Sequence, residues 1–162
     1  MLLGILSDTH DRHARTALAI DMLRSAGAEA LVHCGDFTSP EIIELLAGGP
    51  SWFVFGNNDE GYEPALRRAA KEVGAVSLEF GGTIQLAGRT IAVTHGHVPA
   101  EDKRLLALKP SYFLFGHSHA KLDEQRGPTR FINPGAIHRA AEFTVALLNL
   151  KTDELQFLNV PR

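Results

Sequence analysis

The sequence predicts an α/β fold, a single-domain sandwich of two packed, mixed β-sheets flanked by helices. Three observations predict it. Apolar runs of five or six residues alternate with helix-like stretches as far as residue 73, an order that favours parallel strands joined by crossover helices. Beyond that point apolar runs follow one another through short turns, so the second half is expected to be mostly antiparallel. No linker, repeat or low-complexity stretch divides the 162 residues, a length suited to one domain over 1–162.

Taken in order, "LLGILS" (2–7) reads as a buried strand. Residues 12–26 carry Ala14, Leu18 and Met22 at fourfold spacing, which predicts a helix stopped by Gly27. "EALVHC" (29–34) is a second strand, and "SPEIIELLAG" (39–48) a second helix with Pro40 near its first turn. "SWFVF" (51–55) is a third strand and 63–73 a third helix. "TIQLAGRTIAVTH" (83–95) reads as two strands about an Ala-Gly turn, "AEDKRLLAL" (100–108) as a short helix and "SYFLFG" (111–116) as a buried strand. Further strands are expected near 121–125, 129–132, 142–149 and 154–159, with "KTDE" turning the last pair.

Composition narrows the function. The chain is 44% apolar, and a chain of this length buries roughly 70% of its unfolded surface, enough for a core without staples. Cys34 is the single cysteine, so no intrachain disulfide forms and a reducing, cytoplasmic setting is expected. "MLLGILSD" is too short and too polar for a signal peptide, and no apolar run approaches the ~20 residues of a membrane span. The net charge of −3 is made of interspersed acids and bases. That argues against a membrane partner and against bulk nucleic-acid binding. A small phosphate ester could still bind if a cation supplied the positive charge.

Polar groups gather where apolar runs end: "SDTHD", "HCGDF", "FGNND", "VTHGH" and "LFGHSH". Ligand sites in α/β folds lie beyond the carboxyl ends of strands, so five such endings can meet on one rim. Asp8 and His10 are two apart, as are His117 and His119. In extended chain such pairs point the same way. The set Asp8, His10, Asp36, Asn57, His95, His117 and His119 holds two carboxylates, four imidazoles and an amide oxygen. That exceeds one tetrahedral zinc. It suits two divalent ions sharing a carboxylate, and mixed N/O donors without thiolate favour manganese, iron, nickel or zinc over calcium or magnesium. Each piece has a plainer reading. Asp8 and His10 suit a turn and a helix cap, and "GNND" suits a turn. His33 reads as a packed core histidine, His13 and His138 as surface residues, and Cys34 as a packed strand residue.

The order "DTH", "GD", "GNND", "HGH", "GHSH", with "INPG" at 132–135, resembles the calcineurin-like metallophosphoesterases, and within them the small YfcE-type phosphodiesterases. The resemblance spans nearly the whole chain. It implies a metallophosphoesterase-like sandwich in which Asp8, His10, Asp36 and His119 hold one ion. Asp36, Asn57, His95 and His117 hold the second, with Asp36 bridging. Two divalent ions per chain, manganese first, would drive phosphodiester hydrolysis through a metal-bridging hydroxide, the ions ~3.5–4 Å apart. Gly35, Gly56 and Gly116 would let backbone approach the ions, although turns explain them equally well. Asn58 departs from many superfamily members, which carry a histidine there; an amide donates no proton at neutral pH. Asn58, His97 and Arg12 are the candidate phosphate contacts. The alternatives are a phosphomonoesterase or nucleotidase, a diadenosine-polyphosphate hydrolase, and a retromer-subunit-like protein scaffold with residual metal binding. A homo-oligomer is left open.

Overall fold

The computed structural model describes residues 1–162. The first half alternates as expected: β1 (Leu2–Leu6), α1 (His13–Ser25), β2 (Ala30–His33), α2 (Pro40–Glu44), β3 (Ser51–Phe53), α3 (Glu63–Val73) and β4 (Val76–Ser77). The second half follows with β5 (Gly81–Leu86), β6 (Arg89–Thr94), α4 (Pro99–Leu106), β7 (Tyr112–Leu114), β8 (Leu122–Arg126), β9 (Thr129–Asn133), β10 (Thr144–Asn149) and β11 (Leu155–Asn159). A six-stranded sheet runs β11-β10-β1-β2-β3-β4 and a five-stranded sheet runs β5-β6-β7-β9-β8. No helix is long and apolar enough to cross a membrane.

Strand alternation sorts the side chains. Leu3 and Ile5 of β1 join Val32, Val54, Val93, Leu114, Ile132 and Leu148 in the apolar layer between the sheets. Leu6 joins Ile20, Leu23, Phe37, Ile43, Phe53 and Leu66 beneath the helices of the first sheet. Burying each such side chain contributes ~1.5–3 kcal/mol. The outer face of the second sheet is covered more thinly, where Leu105 of α4 packs with Ala92, Phe113 and Phe131.

Several expectations need correction. The second half is mostly antiparallel, as expected, at β5–β6, β8–β9, β10–β11 and β10–β1, but not throughout: β6, β7 and β9 run parallel at the centre of their sheet. Helix α4 carries β6 across to β7, and the β8–β9 hairpin returns beside β7. The buried face of α1 is Thr16, Ala19, Ile20 and Leu23, an i, i+3, i+4, i+7 stripe. Leu18, on the stripe expected to be inside, is 41% exposed. Helix α2 spans only Pro40–Glu44, and β4, too short to show periodicity, pairs in parallel with β3. The common direction of β1, β2, β3, β6, β7 and β9 brings the loops after each of them to one edge.

Candidate metal centre

The loop after β1 is laid along the loop after β2. Asp8 N–H donates to Gly35 O at 3.0 Å, His10 N–H to Asp36 O at 3.0 Å and Asp11 N–H to Phe37 O at 2.9 Å. Five of the seven candidate residues adopt left-handed backbone: Asp8 (φ 55°), His10 (44°), Asp36 (62°), His117 (67°) and His119 (57°). Left-handed non-glycine residues are uncommon and cost about 1–3 kcal/mol each, so their concentration here marks a site held by its surroundings. The paired residues therefore converge through tight turns and not through strand alternation. His117 and His119 also diverge. His119 Nε2 stands 3.2 Å from Asp8 Oδ1, whereas the His117 ring lies beside His95 with centroids 5.1 Å apart.

Asp8 is fully buried. Its Oδ2 accepts from Ser7 Oγ at 2.6 Å and from His117 N–H at 3.1 Å, while its Oδ1 has no hydrogen-bond donor. Around that oxygen stand Nε2 of His119 at 3.2 Å, of His10 at 3.9 Å and of His95 at 4.0 Å. Asp36 reaches to both sides, with His10 Nε2 at 3.5 Å from Oδ2 and His95 Nε2 at 3.5 Å from Oδ1. His95 Nδ1 donates to Cys34 O at 2.7 Å and His119 Nδ1 to Arg139 O at 3.3 Å. These backbone bonds turn both Nε2 atoms inward, the usual way of orienting a metal-binding imidazole. His95 Nε2 also lies 3.2 Å from Asn57 Oδ1, and the Nε2 atoms of His10 and His119 face each other at 3.4 Å. Donor atoms cluster most tightly in two groups, Asp8–His10–His119 and Asp8–Asp36–His95. Asp8 is common to both, Asp36 touches a histidine of each, Asn57 adjoins the second through His95, and His117 stands on the same side, outside these groups.

The electrostatics match a cation site. Burial pushes the Asp8 carboxyl up, but the His119 imidazole facing it, the His95 charge and the Ser7 bond bring it below its ordinary value. Asp36 is likewise opposed by burial and lowered more strongly by His95 and by Asn58. His95 rises despite burial because Asp36 and Asp8 face it. His10 falls, chiefly through burial.

The supporting residues were only partly visible in the sequence. Asp59, the last letter of "GNND", is fully buried. Its Oδ1 accepts from the N–H groups of Phe37 (2.8 Å) and Thr38 (2.9 Å), and its Oδ2 from those of Asp36 (2.9 Å) and Gly56 (2.7 Å). It ties the loop carrying Asp36 to the loop carrying Asn57. Burial raises its carboxyl against the pull of those donors. His33 is core, as expected, but it also connects loops: its Nδ1 accepts from Gly35 N–H at 3.1 Å, so Nε2–H donates to Thr9 Oγ1 at 3.1 Å. Burial lowers its pKa to about 3. Asn133 of "INPG" donates to Gly116 O at 2.8 Å and Ser118 Oγ at 3.1 Å, pinning the loop between β7 and His119.

The glycines approach the candidate ligand side chains rather than open space. A Cβ on Gly35 would meet His95 Nδ1 at 2.8 Å, one on Gly116 would meet Asp8 Oδ2 at 2.7 Å, and one on Gly56 would land on the Asp36 carboxylate. Asn58 donates through its backbone N–H to Asp36 Oδ1 at 2.9 Å and through Nδ2 to Asp36 Oδ2 at 2.6 Å. Its amide is thus turned toward the carboxylate and positions Asp36. His97 lies against His95 and His117, with ring centroids 5.3 and 6.3 Å away, and its buried Nδ1 has no partner. Arg12 Nε donates to His138 Nδ1 at 3.2 Å. His138 is not a plain surface residue, because its ring lies 5.1 Å from that of His10.

Comparison with known proteins agrees with this geometry. Phosphodiesterase MJ0936 of Methanocaldococcus jannaschii is 28% identical over 142 residues, covering 83% of each chain. Phosphodiesterase YfcE of Escherichia coli K12 is 27% identical over 158 residues, covering 85% of this chain and 79% of its own. The solved structure of an archaeal phosphodiesterase superposes with a TM-score of 0.87 at 26% identity, over 99% of this chain and 100% of that one. The family model of the calcineurin-like phosphoesterase superfamily domain matches residues 1–153. A match of that extent, on a chain whose strand-end loops converge as described, shows that the protein belongs to the calcineurin-like phosphoesterase superfamily.

Proposed function

We propose that the protein is a metal-dependent phosphodiesterase of small phosphate esters, working as one domain with two divalent ions. The observation that carries this is the buried Asp8 Oδ1, which lacks a donor and faces three imidazole Nε2 atoms. A buried carboxylate oxygen left in that state is costly unless a cation completes it. The residues present therefore fit a metal site. Asp8, His10, Asp36 and His119 would hold one ion and Asp36, Asn57, His95 and His117 the other, with manganese first and iron, nickel or zinc as alternatives. Such ions supply Lewis acidity that offsets phosphoryl charge and makes water nucleophilic near neutral pH.

The protein's own part is placement. Cys34 O and Arg139 O hold the His95 and His119 rings. Asn58 holds Asp36, and Asp59 fixes the two loops that carry the carboxylate and the amide. His97 and Arg12 flank opposite sides of the centre as phosphate contacts. Asn58 supplies no proton to a leaving alkoxide, which favours aryl and other good leaving groups. The likeness to named phosphodiesterases supports the diester over the monoester or nucleotidase reading. A buried, unpaired Cys34 accords with a reducing cytoplasm.

The test is a screen of the metal-reconstituted protein against phosphomonoesters, phosphodiesters and cyclic nucleotides. Hydrolysis of aryl phosphodiesters, abolished by chelation, is the expected result. Turnover of monoesters alone would replace the diester reading, and no turnover with any metal would favour the scaffold.

A further inference from the structure

Beside the metal centre lies a cavity of about 460 Å³ whose lining includes Asp11, Arg12, His13, Arg15, Leu18 and Arg162. It is rich in guanidinium groups, and none of them is neutralised. Five arginines elsewhere pair with a carboxylate; Arg12, Arg15 and Arg162 pair with none, as do the scattered Arg24, Arg68 and Arg139, and what sets the first three apart is that they share one cavity. Arg15 Nη1 donates to Ile137 O at 2.9 Å and Arg162 Nη2 to Ala141 O at 2.8 Å. Both stand over the Phe143 ring, 4.3 and 4.8 Å from its centroid. Two like charges thus share one ring, with Asp11 the single side-chain carboxylate of the lining. Arg12 spends only Nε, on His138, and keeps its terminal N–H groups free.

Position gives this cluster a role. The Arg12–His138 pair is the wall between cavity and metal centre, since the His138 ring lies 5.1 Å from that of His10. Uncommitted guanidinium groups suit phosphate, whose oxygens accept paired N–H donors. We propose that this cavity is a subsite for a second phosphate, so that the substrate is a phosphodiester carrying an additional phosphate group. The subsite rests on the phosphodiesterase reading for its neighbour, and it assigns Arg12 and Arg15 as specificity determinants, Arg12 then being a contact to the second phosphate and His97 the one left to the reacting phosphate.

The experiment uses the metal-loaded protein with two probe pairs. Titration calorimetry compares thymidine 3′,5′-bisphosphate with thymidine 5′-monophosphate. Kinetics compare thymidine 5′-(4-nitrophenyl phosphate) with its 3′-phosphorylated form, which has the same leaving group. Each charge-assisted contact is worth about tenfold, so wild type is expected to favour the phosphorylated member about tenfold or more in Kd and in kcat/KM. Arg12→Gln and Arg15→Gln should each bring both ratios toward one. Arg68→Gln, which changes an arginine on α3, should keep them. Equal binding of the two nucleotides by wild type, or ratios unchanged in both Arg12→Gln and Arg15→Gln, would overturn the subsite. Hydrolysis of both esters with equal efficiency and equal binding removes the subsite and leaves the diesterase reading. A tenfold binding preference with no hydrolysis of either ester upholds the subsite and removes the diesterase.

Discussion

Asp59 gives a prediction in which the loss can be worked from the bonds. Replacing it with alanine strands the N–H groups of Phe37, Thr38, Asp36 and Gly56, now held at 2.7–2.9 Å by one carboxylate. A stranded buried donor costs about 1–3 kcal/mol, and such costs are not additive because the loop relaxes and water enters. The expected net loss is about 4 kcal/mol, at the upper end for a single substitution. For a chain of 162 residues, each kcal/mol is worth about 2–4 °C in Tm, so Asp59→Ala should melt about 12 °C lower. Asp59→Asn is the sharper variant. An amide keeps one oxygen for one pair of donors and turns an NH₂ group toward the other pair, so it should recover little. The assay is thermal unfolding of chelator-treated protein followed by circular dichroism, with metal affinity measured against a competing chelator. Affinity should fall in both variants, because the loops carrying Asp36 and Asn57 lose their common anchor. An Asp59→Asn protein melting within 2 °C of wild type, a margin set by the ~2–4 °C per kcal/mol scale, would refute the reasoning.

Other outcomes follow from the same geometry. Asp36→Ala should lose both ions and nearly all activity by metal analysis, whereas Asn57→Ala should empty mainly the position beside His95 in an anomalous-scattering map. Asn58→Ala should weaken metal binding about 10- to 100-fold, the usual cost of removing a group that orients a ligand, and chelator competition would measure it. His33 gives a pH prediction. Its folded pKa is lowered to about 3 from 6.5, so the unfolded chain binds the extra proton between those values. Stability should therefore be greatest above pH ~6.5 and fall by a few kcal/mol as pH drops toward ~3. Denaturant titrations of metal-free His33→Gln should show a shallower fall across that window.

The candidate ligands were legible because their chemistry is local: each stands within a few residues of an apolar strand's end, where open α/β sheets place their sites. The parallel centre of the second sheet was not, since hairpin-like spacing does not reveal that α4 crosses between β6 and β7. The face of α1 was misread because Ala14 and Leu18 are apolar yet exposed, while Thr16 is buried and donates its hydroxyl to Arg12 O at 2.9 Å. Asp59, Asn133 and His138 carried no periodic or pairwise signal. The partners that let them join separate loops lie 15 to 126 residues away, and only the folded chain brings these together. Asp8 and His10 stand together through left-handed turns, which sequence periodicity does not show, and not through the strand alternation expected.

The most direct test of a two-ion phosphodiesterase is a manganese titration of chelator-stripped protein, following bound metal per chain and hydrolysis of bis(4-nitrophenyl) phosphate together. The account predicts that activity rises steeply only as the second equivalent binds and reaches its plateau at two. Full activity at one equivalent, or two bound equivalents with no hydrolysis, would contradict it.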